Sequence, residues 1–178
     1  MGHYQIELTK AMELLASNDK VIFIGQSVEV AGTLMRTTLE NINPKKLIEM
    51  PVDEDFQMGV ANGFALAGYI PISVFPRWNF LLLATNQIVN HLDKLKEISR
   101  LGVPPKVIIR TSIGSVKPLH PGPQHTGDFT DAFKLMCKNI NIVRLDSHEQ
   151  IVPQYRLALE RDDGVCTLLV EWGDKYAE

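Results

Sequence analysis

Six short apolar runs, each preceded by a segment with helical spacing, limit this chain to very few folds. The runs are Val21-Ile22-Phe23-Ile24, Leu47-Ile48-Glu49-Met50, Pro71-Ile72-Ser73-Val74-Phe75, Lys106-Val107-Ile108-Ile109-Arg110, Asn141-Ile142-Val143-Arg144-Leu145 and Cys166-Thr167-Leu168-Leu169-Val170. They are too short for helices and rich in β-branched residues, so they read as buried strands. Helices are expected between them over residues 6–17, 30–41, 56–69, 79–100, 128–138 and 147–161. Strands that alternate with helices of this length pair in parallel and carry the helices on their faces. The expected fold is therefore α/β, a doubly wound, mostly parallel six-stranded sheet with helices on both faces, forming one domain over residues 1–178. Pro153 must sit in the first turn of the last helix or kink it, because a mid-helix proline costs about 3 kcal/mol.

Composition removes several function classes. With 45% hydrophobic and 22% charged residues the chain has enough apolar material for a full core and is neither disordered nor fibrous. A formal net charge of -3 with intermixed signs offers no basic stripe, so nucleic acid is not an expected partner. Cys137 and Cys166 lie far apart in no paired spacing, which argues against a disulfide framework and a structural zinc site and favours a reducing cytoplasm. The first segment reads as an amphipathic helix with Glu7, Lys10 and Glu13 among its apolar positions and lacks the continuous apolar core of a signal peptide. Ile6 stands where a myristoylation signal after Met1-Gly2 needs Ser or Thr. The most apolar stretch, 70–89, is broken by Pro71, Pro76, Arg77 and Asn79, so no membrane span is expected and the protein should be soluble.

In open α/β sheets ligands gather outside the carboxyl ends of the strands. Three groups are expected there: Glu54 after the second run, Phe75-Pro76-Arg77-Trp78 after the third, and His120 with His125 in the loop 111–127 after the fourth. A carboxylate, aromatics and histidines on one rim suit a flat heteroaromatic ligand. Glu54 opens a segment holding Gly59, Ala61, Gly63, Ala65, Ala67 and Gly68, which gives up helix propensity and permits very close approach of another backbone. A carboxyl on such a dry interface has its charged form disfavoured and can share a proton with a ligand nitrogen. Simpler readings stay open at this level. Asp53, Glu54 and Asp55 also suit a helix N-terminus, Trp78 and Phe80 also suit core packing, the small residues also suit packing within the domain, and His120, His125 and Asp128 also suit a metal.

Four segments in order resemble the pyrimidine-binding domain of transketolase-like thiamine diphosphate enzymes, in particular the beta subunit of the pyruvate and branched-chain 2-oxo acid dehydrogenases. Gly25-Gln26-Ser27-Val28 is similar to the family's Gly-acid-x-Val turn, and Met50-Pro51-Val52-Asp53-Glu54 with Gly59 to its Thr-Pro-x-x-Glu segment. Asn86-Gln87-Ile88-Val89-Asn90 with Lys94 resembles its Asp-Gln-Ile-x-Asn helix, and His120 with Gly122-Pro123-Gln124-His125-Thr126 its two-histidine loop. The resemblance implies that Glu54 hydrogen-bonds the aminopyrimidine of thiamine diphosphate and drives it to the imino tautomer that deprotonates the thiazolium. It implies that His125 faces the substrate, with His120 as a secondary partner.

Departures from the family shape the remaining expectations. Pro76-Arg77-Trp78-Asn79-Phe80 stands where the dehydrogenases carry Gln-Phe-Ala-Asp-Tyr, so Phe80 is expected against the pyrimidine ring and Trp78 or Arg77 at the entrance. Asp55-Phe56 replaces the glycine expected soon after the glutamate. Neither Asp162-Asp163-Gly164 nor Gly173-Asp174 matches the family's metal and diphosphate motif. The resemblance thus implies the small subunit of a split enzyme, in a heterotetramer whose large subunit holds the diphosphate and Mg2+, acting on a 2-oxo acid or ketose by ketol or acyl transfer or decarboxylation. The alternative is a non-catalytic regulatory or assembly module that keeps the fold.

Overall fold

The computed structural model describes residues 2–99 and 105–178. Its sheet holds β1 (Val21–Gly25), β2 (Leu47–Glu49), β3 (Ile70–Phe75), β4 (Ile108–Ile113), β5 (Ile140–Arg144) and β6 (Cys166–Trp172) in the order β2-β1-β3-β4-β6-β5. Every pairing is parallel. The helices are α1 (His3–Ala16), α2 (Leu34–Thr37), α3 (Glu54–Leu66), α4 (Trp78–Leu81), α5 (Leu95–Ile98), α6 (Thr130–Met136) and α7 (His148–Glu160). The chain leaves β1 toward β2 on one side and returns to β3 on the other, so the direction of winding reverses between β1 and β3.

Successive strand residues point to opposite faces, and each face meets its own helices. Ile24, Phe75, Ile109 and Leu168 pack with Met58, Ala61 and Ala65 of α3, Trp78, Ile88 and Phe133. Phe23, Val74, Ile108 and Leu169 pack with Leu8, Met12 and Leu15 of α1, Met35, Leu39, and Ile151 and Tyr155 of α7. Burial on both faces explains why the strands read as continuous apolar runs rather than alternating ones.

Where the elements differ from expectation, a polar contact is the reason. The helix expected over 30–41 shrinks to α2, because the Glu49 carboxylate accepts the backbone N–H groups of Ser27 (2.6 Å), Val28 (2.9 Å) and Glu29 (2.8 Å) and holds this stretch in a turn. The helix expected over 79–100 starts at Trp78 and runs to Ile98, with a five-residue π turn at Gln87–His91; Arg100 lies outside the described residues. β4 extends to Ile113 and β6 to Trp172, beyond the expected ends, because Arg110 and Glu171 are buried as a pair. Pro153 lies in the second turn of α7 rather than the first, on its exposed side. There the Glu149 carbonyl that loses its helical partner faces water. Among the described residues no helix is long and apolar enough to cross a membrane.

Candidate active site

Glu54 is the first residue of α3, fixed there by Asp53, whose side chain accepts the Phe56 N–H at 3.0 Å. Its side chain turns inward and the residue is only 4% exposed. One carboxylate oxygen accepts from Gln26 Nε2 at 3.1 Å. The other takes no hydrogen bond within the described chain. A buried carboxylate with a free oxygen has unused capacity for a donor supplied from outside.

Two clefts open on this part of the chain, and Glu54 itself lines neither. One, of about 340 Å³, lies along the first turns of α3 between Asp53, Asp55, Phe56, Gly59, Val60 and Gln87. Gln87 bridges there, donating from Nε2 to Asp55 Oδ2 at 3.2 Å while its carbonyl accepts from Asn62 Nδ2 at 3.3 Å. A π turn at this point aims Gln87 at α3, as such turns often do at functional positions. The second cleft, of about 190 Å³, lies past the carboxyl ends of β3, β4 and β6 and includes Arg77, Ser112 and Gly114.

Close backbone approach holds the rim. Gly25, at φ +154°, sits so near β3 that an added Cβ would lie 2.3 Å from the Val74 carbonyl oxygen. Gln57 of α3 locks the same corner, donating from Nε2 to Ser73 Oγ at 3.1 Å and to the Val74 carbonyl at 3.0 Å. A Cβ at Gly114 would lie 1.9 Å from the His125 carbonyl oxygen, so only glycine lets the loop after β4 fold back to place His125.

His125 ends the short turn Pro123–His125, and its Nδ1 is buried without a hydrogen-bond partner. Its ring meets the edge of Phe80, with centroids 5.7 Å apart at 67°. Asn79 ties the same loop down by accepting the Gly127 N–H at 3.3 Å. Phe80, Arg77 and His125 therefore come together at one rim. His120 is placed differently: it is exposed, and its Nδ1 accepts the Gly122 N–H at 3.0 Å, which shapes the turn leading to His125.

Trp78 corrects an expectation. It is fully buried against Phe133 (4.8 Å) and Phe129 (6.2 Å), with its back to the rim, and shapes no entrance. Tryptophan's apolar area outweighs the loss at its indole N–H, which has no partner. Asp128 turns to Thr130 and to Arg144 (2.9 Å) rather than to the histidines. Among the described residues no cluster of three His, Cys, Asp or Glu could hold a metal. Burial pushes the thiols of Cys137 and Cys166 up to about 11, so neither is a ready nucleophile.

Three contributors escaped the sequence reading. Gln26 was visible in its motif, but nothing in the sequence joined it to Glu54. Gln57 and the Glu49 carboxylate carried no signal, since a lone amide or acid beside an apolar run reads as surface.

A wholly parallel sheet with a buried acid and a glycine-dependent loop at its carboxyl edge defines an α/β domain of the kind whose ligands gather at that edge. The chain belongs to the family described as "Transketolase, pyrimidine binding domain", whose model matches residues 5–172. It is 28% identical over 165 residues to the mitochondrial pyruvate dehydrogenase E1 component subunit beta of Caenorhabditis elegans, covering 90% of this chain and 46% of that one. The corresponding subunit of Rickettsia conorii is 32% identical over 124 residues, 68% of this chain and 37% of its own. The 3-methyl-2-oxobutanoate dehydrogenase subunit beta of Mycobacterium tuberculosis is 25% identical over 135 residues, 74% and 38% of the two chains. The chain spans less than half the length of these relatives. Two solved structures share the fold: the transketolase of Campylobacter jejuni (TM-score 0.69, 18% identity, 93% of this chain and 25% of that one) and a "split gene transketolase, inactive beta4 tetramer" (TM-score 0.61, 15%, 96% and 50%).

Proposed function

We propose that this chain is the pyrimidine-binding subunit of a split thiamine diphosphate enzyme, catalysing ketol or acyl transfer or decarboxylation on a 2-oxo acid or ketose in a heterotetramer with a diphosphate-binding subunit. The observation that carries the reading is Glu54: a buried carboxylate with one oxygen held by Gln26 and one open, in a chain of this family. When bound, the cofactor would supply a nucleophilic carbon for chemistry at the substrate carbonyl. Glu54 would hold a proton against the pyrimidine ring nitrogen, and the amide of Gln26 would keep its carboxyl plane aimed. Phe80 would pack against the ring. His125, with an unpaired Nδ1 beside Phe80, would hold or move a proton on the substrate oxygen.

The diphosphate and Mg2+ fall to the partner in this reading. Asp163 is committed to Arg161 (2.6 Å) and the Val165 N–H (3.0 Å). Asp174 is committed to Ser115 (2.6 Å) and the Val116 N–H (2.9 Å). The two cysteines are free and buried, which supports a reducing compartment such as the cytoplasm.

The outer face of α3 supports a partner surface. A Cβ at Gly63 would touch nothing within 4 Å, so this glycine serves no packing inside the chain. On the same helix Phe56 (52%) and Leu66 (44%) are exposed. Gly63→Arg should therefore raise the stability of the lone chain by about 0.5–1 kcal/mol, the helix-propensity gain over glycine. The same variant should fail to assemble. Urea melts together with light scattering of the mixed subunits check both halves, and a Gly63→Arg chain that assembles normally removes this face from the interface.

The function is tested by purifying the chain with the large subunit that accompanies it and titrating thiamine diphosphate with Mg2+ by calorimetry. Stoichiometric binding is expected for the mixture and none for either chain alone. Full cofactor binding by the partner alone would refute the shared site.

A further inference from the structure

We propose that Arg77 and the cleft it lines form a subsite for an anionic oxygen group, the carboxylate or phosphate end of the substrate. The cleft, about 190 Å³, is walled by Thr33, Arg77, Ser112, Gly114, Ser115 and Tyr176 among others, and its lining contains no acid. At roughly 30 Å³ of liquid volume per water it holds about six waters. That is room for a phosphate or carboxylate with a short stem, and too little for a nucleotide.

Arg77 differs from every other described arginine. Arg110 is paired with Glu171, Arg144 with Asp128 and Asp146, Arg156 with Glu160 and Arg161 with Asp163, while Arg36 donates to the Glu29 carbonyl. Arg77 is half-buried, and among the described residues its guanidinium has neither an ion pair nor a hydrogen bond. The nearby acid Asp174 is turned away to Ser115 and to the Val116 and Lys117 N–H groups, which leaves Arg77 uncompensated. A partly desolvated guanidinium in an acid-free cleft is best satisfied by a planar or tetrahedral oxyanion, which it binds through two parallel N–H bonds.

Position links the cleft to the chemistry. The Arg77 Cδ lies 3.6 Å from where a Gly114 Cβ would stand, and that Cβ would run into the His125 carbonyl. Gly114 is thus the thin wall between the Arg77 stem and the His125 backbone. An anion on Arg77 would keep the rest of a small substrate close to the His125 end of the rim. Anion binding stands on this geometry alone; its assignment to the substrate rests on the function proposed above.

The test uses the chain by itself, with no cofactor, in amide-resolved NMR titrations at constant ionic strength. Inorganic phosphate and pyruvate are the two probes, and the tighter one reports which oxyanion the subsite suits. Saturable shifts of the Gly32, Gly114 and Ser115 amides are expected at millimolar ligand. Arg77→Gln should weaken them at least tenfold, and Arg77→Lys, which keeps charge without the paired donors, should fall between. Overlapping spectra of the free chains away from residue 77 establish that the variants fold. The proposal is overturned if neither probe gives saturable shifts at those amides, or if Arg77→Gln titrates like the unmodified chain. Because no thiamine diphosphate is present, that failure would leave the role of Glu54 standing, and loss of the Glu54 role would leave the anion subsite standing.

Discussion

Replacing Glu54 with alanine should slow exchange of the carbon-bound acidic proton of thiamine diphosphate in the assembled enzyme by about 10²–10⁴-fold, the usual contribution of a positioned acid or base. The expectation follows from where the side chain is. Asp53 caps α3 through the Phe56 N–H, so the helix start survives loss of the neighbouring carboxyl. Among the described residues Glu54 itself has Gln26 alone as a side-chain partner, so truncation leaves one amide to find water rather than breaking a network. Folding and assembly should therefore remain within about 1 kcal/mol of the unmodified chain. His125→Ala is the contrasting variant: exchange should persist while turnover falls, because its ring packs against Phe80 and, among the described residues, makes no contact with the acid. Proton exchange followed by NMR after mixing into deuterated buffer separates the two. Exchange at the unmodified rate in the Glu54 variant would remove this residue from cofactor activation.

Glu171→Gln should cost about 3–5 kcal/mol of stability. Glu171 and Arg110 are both fully buried, joined at 2.6 Å and 3.2 Å between the neighbouring central strands β4 and β6. Tyr155 donates to the carboxylate at 2.7 Å, Tyr176 donates to its other oxygen, and Arg110 also donates to Thr38 at 2.9 Å. Burial alone would discourage the guanidinium charge, yet the adjoining Glu171 carboxylate more than offsets it and holds Arg110 charged. Burial raises the phenols of Tyr155 and Tyr176 well above their ordinary range, so both remain O–H donors. Removing the Glu171 charge strands the Arg110 charge in the core. Urea denaturation should show a lower midpoint with an unchanged slope, and a double-mutant cycle with Arg110→Met should give a coupling of about 2–3 kcal/mol. Additive losses would show that the pair is not coupled.

That pair also shows where the sequence is hard to read. The apolar runs mark the strands because both sheet faces are covered, and the parallel α/β architecture follows from them. The same logic ends β4 at Arg110, since a charge after an apolar run signals exit to solvent unless its partner is known. The partner lies sixty-one positions away, and nothing local announces it. The split fate of the expected helix over 30–41 has a similar cause, the long-range capture of a turn by Glu49.

The candidate site was legible in its parts and not in its wiring. Glu54, Phe80, Arg77 and His125 stand on the carboxyl rim as their positions between elements require. Trp78, two residues from Phe80, faces the opposite way because α4 begins there and helical geometry turns adjacent side chains about 100° apart. His120 and His125 look equivalent in sequence. In the structure the loop exposes one and buries the ring nitrogen of the other. The Gln26 contact joins the turn after β1 to the start of α3, twenty-eight residues on, and nothing local announces it.

The most direct test is a crystal structure of the reconstituted complex with thiamine diphosphate and Mg2+ bound. The proposed function predicts a Glu54 carboxylate oxygen within hydrogen-bonding distance of an aminopyrimidine ring nitrogen, with the diphosphate and metal on the partner subunit. A Glu54 side chain facing solvent, or a cofactor bound wholly by the partner with its pyrimidine away from this chain, would contradict it.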